Sequence, residues 1–373
     1  ALFVAVASLM VSATSHGADP FSTEGAIRLA PCSRAVPDRA LGLADVVDLA
    51  LCNNPRTREA WASARVQAGL VGVAEAPYLP SLNATLGSSR NRVRVEDQET
   101  NRRTLNSASL SFSWLLYDFG AREATLESAR QLLSAAVATQ DATAQNVFLS
   151  ALQAYFQVHA FKAALEAAEL SEKAARESLA AADARYRAGN ATPADRLQAQ
   201  TALSQATLTR IRVAGELRNA EGTLANSIGL SANQSLPLSP LGQMPPPSDF
   251  DRNVDALIEE ARQRRPDLAA AEAQVRAAQA ATEAARANHL PTFSLVATPS
   301  WQDSSGLTTQ SSGIGISVNI PLFSGFSQTY RVRTAESQAE LRAAQRDQLQ
   351  LQVALDVWRS YQGLRTATQT VRS

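Results

Sequence analysis

Histidine, cysteine and methionine are nearly missing from this 373-residue sequence, which holds three, two and two of them. The histidines, His16, His159 and His289, are far apart, and no serine–histidine–aspartate or metal-ligand spacing connects them. His159 falls on a long helical pattern and reads as a packed or surface residue. His289, two residues before Pro291, punctuates the entry to a strand. Paired carboxylates such as Glu259-Glu260 suit a solvated helix face, so no catalytic constellation emerges. An excess of charge is also missing: Lys and Arg number 35, and Asp and Glu 35. That balance gives no reason to expect nucleic acid as a partner. Beyond the first residues, no stretch reaches the ~18 continuous apolar residues of a transmembrane helix.

The opening "ALFVAVASLMVSATSHGAD" is an apolar run followed by small residues. Residues 1–18 resemble the remnant of a secretory signal, with the Met and basic region missing and cleavage suited to Ser15 or Ala18. An ordinary strand or tail is the other reading. Residues 19–42, with Pro20, Pro31 and Pro37, are irregular. Cys32 and Cys52 would form a disulfide closing a short N-terminal loop in an oxidising compartment, or else be two free buried thiols. No histidine or third cysteine lies near enough in sequence to suggest a metal site.

What is abundant is alanine at helical spacing, interrupted by two strand-like stretches. "ISVNIPLFSGF", Ile316 to Phe326, is apolar at Ile316, Val318, Ile320 and Leu322, with Ser317, Asn319 and Pro321 between. "LSFSWLLYDFG", Leu110 to Gly120, is apolar at Leu110, Phe112, Trp114 and Leu116, with Ser111, Ser113 and Leu115 between. Each is a strand with one apolar and one polar face. Setting Leu110 on Ile316 is a shift of 206, which also puts Val147 on Val353 and Tyr155 on Tyr361. Upstream, "NNP" at Asn53–Pro55 matches "RRP" at Arg264–Pro266, and "YLPSL" at Tyr78–Leu82 matches "HLPTF" at His289–Phe293, both at a shift of 211. The chain is an internal duplication whose second strand hairpin is shorter by five residues.

The first copy, 43–230, reads as helix, β-hairpin over 79–116, and a helical hairpin over 118–229 with its tip near 189. The charged stretch "SSRNRVRVEDQETNRRT" suits the exposed tip of the strand hairpin. From Gly120 no proline appears until Pro193, and about 65 residues of helix would run ~100 Å at 1.5 Å per residue. A second helix from about Pro193 to Ser227 completes an antiparallel coiled-coil hairpin. Residues 231–252 form a Pro/Ser-rich linker. The second copy, 253–373, repeats helix, hairpin over 291–322 with "QDSSGLTTQSSG" as its turn, and a helix over 325–373. Ser373 corresponds to Ala167, so the repeat arithmetic predicts a second copy incomplete at its C-terminus, without a partner for Ala168–Leu230.

Strands of about 10 residues cross a bilayer when tilted, and strands in lipid must close into a barrel. Bacterial barrels have at least about eight strands, whereas this sequence supplies four, so strands must come from further copies. In such a barrel Leu110, Phe112, Trp114, Ile316, Val318 and Ile320 would face lipid. Ser111, Ser113, Ser317 and Asn319 would face a watery lumen. Tyr117, Phe119, Phe323 and Phe326 sit where an interfacial aromatic girdle would. A soluble sheet packed on helices is the competing reading, and it leaves the long helices uncovered.

The duplicated order of helix, strand hairpin and long helical hairpin resembles the TolC family of outer-membrane channel proteins. The likeness is carried by Tyr78-Leu79-Pro80 and His289-Leu290-Pro291 before the strands and by the "LLYDFG" and "PLFSGF" turns into helices. It is carried also by "YRAGNATPAD", where Tyr186, Gly189 and Asp195 fit a Tyr-x-x-Gly-x(5)-Asp tip. The early cysteines with "CNNPRTREAW" resemble the subgroup containing the outer-membrane partner of type I secretion of adenylate cyclase toxin. The resemblance implies a mixed α and transmembrane-β fold: a homotrimeric 12-stranded barrel continued by an α-helical periplasmic barrel. It implies outer-membrane lipid, a periplasmic adaptor and an inner-membrane ABC or proton-driven transporter as partners, with no cofactor. Tyr186, Gly189 and Asp195 would then lie at a periplasmic tip that adaptors contact and that closes the tunnel. The family's threonine before that Asp is Ala194 here, and a second tip is not present. The function implied is a passive exit duct for protein or small molecules. A soluble periplasmic coiled-coil structural or adaptor protein is the alternative.

Overall fold

In a computed structural model the described residues are 19–27, 30, 32–93, 101–234, 236–242, 253–304 and 307–372. The signal-like residues 1–18, the middle of the first hairpin tip and residues 243–252 of the expected linker lie outside them. The elements run α1 (Leu43–Asn53), α2 (Pro55–Glu75), β1 (Ser81–Val93), β2 (Asn101–Tyr117), α3 (Ala121–Arg187) and α4 (Pro193–Ser227). They continue with α5 (Val254–Arg264), α6 (Pro266–Ala287), β3 (Thr292–Ala297), β4 (Ser300–Ser304), β5 (Leu307–Ser311), β6 (Ile314–Asn319) and α7 (Ser327–Arg372). The start and end of α1 recur in α5 at an offset of 211, and the start of β1 recurs in β3 at the same offset. In each copy a proline opens the second helix, Pro55 for α2 and Pro266 for α6. Proline lacks the N–H that the first turn leaves unsatisfied anyway, and it ends the preceding helix.

The chain forms two compact units. Among the described residues, one comprises those of 19–27, 63–139 and 253–372, and the other those of 30–62 and 140–242. The boundaries fall inside α2 and α3.

The first unit holds the sheet. β2 pairs with β1 on one side and with β3 and β4 on the other, β3 pairs with β6, and β4 pairs with β5, all antiparallel. β3–β4 and β5–β6 are single strands in effect, each interrupted where Thr298 N–H donates to Gly313 O at 2.9 Å and Leu110 N–H donates to Pro299 O at 2.9 Å. The segment 302–313, expected as a turn, is therefore mostly paired. Its Thr, Gln and Ser residues continue the ladder up to Ser304 and again from Leu307. Conversely β6 ends at Asn319, short of the Ile320 and Leu322 assigned to the strand from sequence, because Pro321 has no N–H to donate to the ladder. Below the sheet, α6 lies on α7. Its buried Ala270, Ala273, Ala277 and Ala284 are spaced as one helical seam. With no side chain beyond Cβ, such a seam lets helices approach closely.

The second unit has its own core. Val147, Ala151, Ala154, Tyr155 and Val158 form one stripe of α3, meeting Val46, Leu49 and Ala50 of α1 and Ala220, Leu224 and Ile228 at the end of α4. The segment 32–41 is fastened to α1 by a Cys32–Cys52 disulfide with Cα atoms 4.6 Å apart. Asn53 adds two bonds to the Arg34 backbone, accepting at 2.9 Å and donating at 2.8 Å. Ion pairs join Arg34 to Asp48 and Arg39 to Asp45. Leu41, fully buried, pairs with Leu238 of the stretch expected as a linker. No described helix is long and apolar enough to cross a membrane.

Candidate functional site

Cross-strand partners share a face of a sheet, so the register sorts every side chain. Leu110 opposes Ala84 and Phe112 opposes Leu82. Phe112 also opposes Ala297, and Trp114 opposes Leu295. Leu295 in turn opposes Ile316, and Phe293 opposes Val318. One face is thus apolar across β1, β2, β3 and β6 in the part next to the helices, giving way to Ser88, Asn106 and Asp303 toward the hairpin tips. It is open to the surroundings: Leu86 is 82% and Ile316 68% exposed. On the opposite face Ser113 meets Ser81, Ser111 meets Asn83 and Ser109 meets Thr85. The same face continues through Ser317 opposite Ser294 and Asn319 opposite Thr292. Leu110, Phe112 and Trp114 of β2 and Ile316 and Val318 of β6 thus share one face, and Ser111, Ser113, Ser317 and Asn319 the other, while Ile320 lies past the end of β6. The residues of β1 and β3 complete each face, and their own alternation in "SLNATLG" and "TFSLV" was the available signal.

At the end of β2 the register slips between Leu115 and Tyr117. Such a bulge re-aims the residues after it, and here it sets Tyr117 rather than Leu116 opposite Phe293. Tyr117, Phe119 and Phe293 then cluster, with ring centroids 4.7 to 6.5 Å apart. Phe323 and Phe326 pair at 5.5 Å in the second copy. Both strand-to-helix corners place two successive residues at positive φ, Phe119 (54°) with Gly120 (90°), and Gly325 (62°) with Phe326 (63°). A bulky residue seldom adopts this conformation, yet each corner uses one glycine and one phenylalanine, in opposite order. Trp114 donates its indole N–H to Tyr78 O at 3.0 Å. Sequence reading passed over Arg122. It pairs with buried Asp118 at 3.1 Å, donates to Leu115 O at 2.7 Å, and stacks over Tyr78 at 4.9 Å.

The turn between α3 and α4 is a separate site. Gly189 N–H donates to Tyr186 O at 3.0 Å and Asn190 N–H donates to Arg185 O at 2.9 Å, with Gly189 at φ 73°. This is the left-handed glycine stop of a helix. α4 opens with a reciprocal cap, Asp195 N–H donating to Thr192 Oγ1 at 3.3 Å and Thr192 N–H to Asp195 Oδ2 at 2.9 Å. The Thr192 backbone N–H, then its hydroxyl, holds the Asp195 carboxyl below its ordinary range. Asp195 thus does local work first, and its partner is Thr192, which the Thr-Pro-Ala-Asp spacing announces. Across the hairpin Arg196 pairs with Asp183 at 2.7 Å and lies over the Tyr186 ring at 5.8 Å. Further along the same helix pair Glu172, largely buried, accepts from Thr207 Oγ1 at 2.9 Å and from the Arg210 guanidinium. His159 packs its ring on Tyr155 at 4.7 Å, and burial, then Lys162, lowers its pKa.

A family model described as outer membrane efflux protein matches residues 46–230 and 257–372, most of the chain. The chain belongs to that family. It is 32% identical to Protein CyaE of Bordetella pertussis over 88% of this chain and 70% of that one. It is 25% identical to the outer membrane efflux protein BepC of Brucella suis over 77% of this chain and 61% of that one. Its fold is that of the Campylobacter jejuni CmeC outer membrane channel, at a TM-score of 0.74 and 18% identity over 83% of this chain and 68% of that one. The family places the protein in the outer membrane of a Gram-negative cell, as part of an export route.

Proposed function

We propose that the chain is one third of an outer-membrane exit duct, a passive channel through which a tripartite system exports its cargo. The observation that carries the reading is the two-faced sheet with open edges. β1 and the β5–β6 row have no partner on their outer sides among the described residues, and they run in opposite directions along the sheet. Copies can therefore join edge to edge with antiparallel pairing throughout. Three copies of four rows would close a 12-stranded barrel, with the apolar face in lipid and the serine face lining water. Tyr117, Phe119, Phe323 and Phe326 would sit at the bilayer interface. The α3–α4 turn with Tyr186, Gly189 and Asp195 would be the periplasmic tip on which an adaptor docks. An inner-membrane transporter would supply the energy. Opening would follow from tighter adaptor binding to the open state than to the closed one.

Protein cargo, as in type I secretion, is favoured over small molecules by the 32% identity to CyaE together with the early cysteine pair that resembles the same subgroup. The test is to isolate the protein from outer membranes in detergent and run it unheated and boiled. The reading requires a trimer that dissociates on boiling and conducts in planar bilayers. A water-soluble monomer would end it in favour of a periplasmic coiled-coil protein.

A further inference from the structure

The polar face of the sheet is free of charge over nearly its whole length. Along β2 it presents Leu105, Ser107, Ser109, Ser111, Ser113 and Leu115, and its partners across the ladders are Ser, Thr, Asn, Gln, Gly, Val and Leu. Arg103, opposite Asn91 at the end away from the helices, is the one ionisable residue on this face among the described residues. The other ionisable residues of the strands whose side chains are described do not interrupt it. Arg90 opposes Thr104, Arg92 follows two residues on, and Asp303 opposes Asn106, all three in register with the apolar face. The leucines, Leu105 and Leu115, stand at its two ends, so the middle is a carpet of hydroxyls and amides.

That absence has a physical meaning in a closed barrel. Symmetry turns each residue into a ring, and rings of charge are what make pores select for cations or anions. Hydroxyls and amides carry no net charge and both donate hydrogen bonds to water and accept them from it, so they hold neither sign of ion. We propose that the membrane segment is a charge-neutral, hydroxyl-lined collar that does not select cargo by charge sign. It would pass acidic and basic segments of one extended polypeptide alike. Discrimination between cargoes must then lie elsewhere, for example in the docking of partners. This inference rests on the exit-duct reading, and the experiment separates the two.

The protein from outer membranes would be reconstituted in planar bilayers under a KCl gradient, with Ser111→Asp and Ser111→Lys beside the unsubstituted pore. Ser317→Asp and Ser317→Lys repeat the test on a second strand should either Ser111 variant fail to assemble. The collar predicts shifts of similar size and opposite sign in the cation-to-anion permeability ratio, at least about twofold each way, because each substitution installs a ring of charge. If the pores conduct and neither sign at either position moves the ratio, the serine face does not line the lumen. The collar is then wrong while the duct stands. If one sign alone moves the ratio, a fixed charge already dominates the segment and the collar is again wrong. If the unsubstituted protein forms no pore, the duct reading falls and the collar with it.

Discussion

Single residues in this protein are held by a few short-range contacts whose removal has calculable effects. Gly229 sits at φ 80°, and a Cβ there would meet Asn53 O at 2.5 Å. Strain of this kind costs on the order of 1–3 kcal/mol, and backbone rather than a movable side chain is the obstacle. Gly229→Ala should lower the melting temperature, read by circular dichroism, while Gly215→Ala, with open space around it, should not. Glu172 offers a pH test. The Thr207 hydroxyl, then Arg210, holds its carboxyl below the usual range. A depressed folded-state pKa means that the clasp contributes fully above the unfolded value and is lost as the pH falls through the folded one. The α3–α4 pair should therefore loosen on acidification below about pH 4, seen as faster proteolysis between the helices. Glu172→Gln should already be loosened at neutral pH and should show a flatter acid response.

Elements were legible in the sequence where one local signal sufficed. α4 spans Pro193–Ser227, the range expected, with Pro193 marking its start. The strand alternation of β2 and β6 likewise gave both faces, because period two survives whatever the partner strand is. What stayed hidden depends on pairing. The polar "QDSSGLTTQSSG" carries no apolar alternation, and only its ladder shows it to be strand. The bulge that turns Tyr117 onto Phe293 is invisible without the neighbouring strand. Asp195 was found through its motif, but its partner Thr192 was missed although the capping spacing was in plain view. The N-terminal strap makes the element-scale prediction. The disulfide spans 20 residues, and closing such a loop restricts the unfolded chain by about 3 kcal/mol. Cys52→Ser, or a reductant, should lower the stability by about that much, read as a lower melting temperature, without changing the outer-membrane location.

For the whole molecule, assembly depends on which face meets lipid. An arginine near the bilayer midplane on the lipid face costs about 2–4 kcal/mol, and symmetry repeats it in every copy. Phe112→Arg, five residues along β2 from Tyr117, should therefore abolish the heat-dissociable oligomer on unheated gels, whereas Ser111→Arg, one residue along and on the other face, should leave it intact. Equal loss from both would refute the two-faced assignment. The duplication has a practical consequence. The offset between the copies falls from 211 to 206 within the strand hairpin, while the proline-opened helix pairs ahead of it and the strand-to-helix corners behind it are kept. Length has thus already changed there once without rewriting the scaffold. A short epitope spliced between Val93 and Asn101 should be carried to the cell exterior and stain on intact bacteria, making that hairpin a natural handle for surface display.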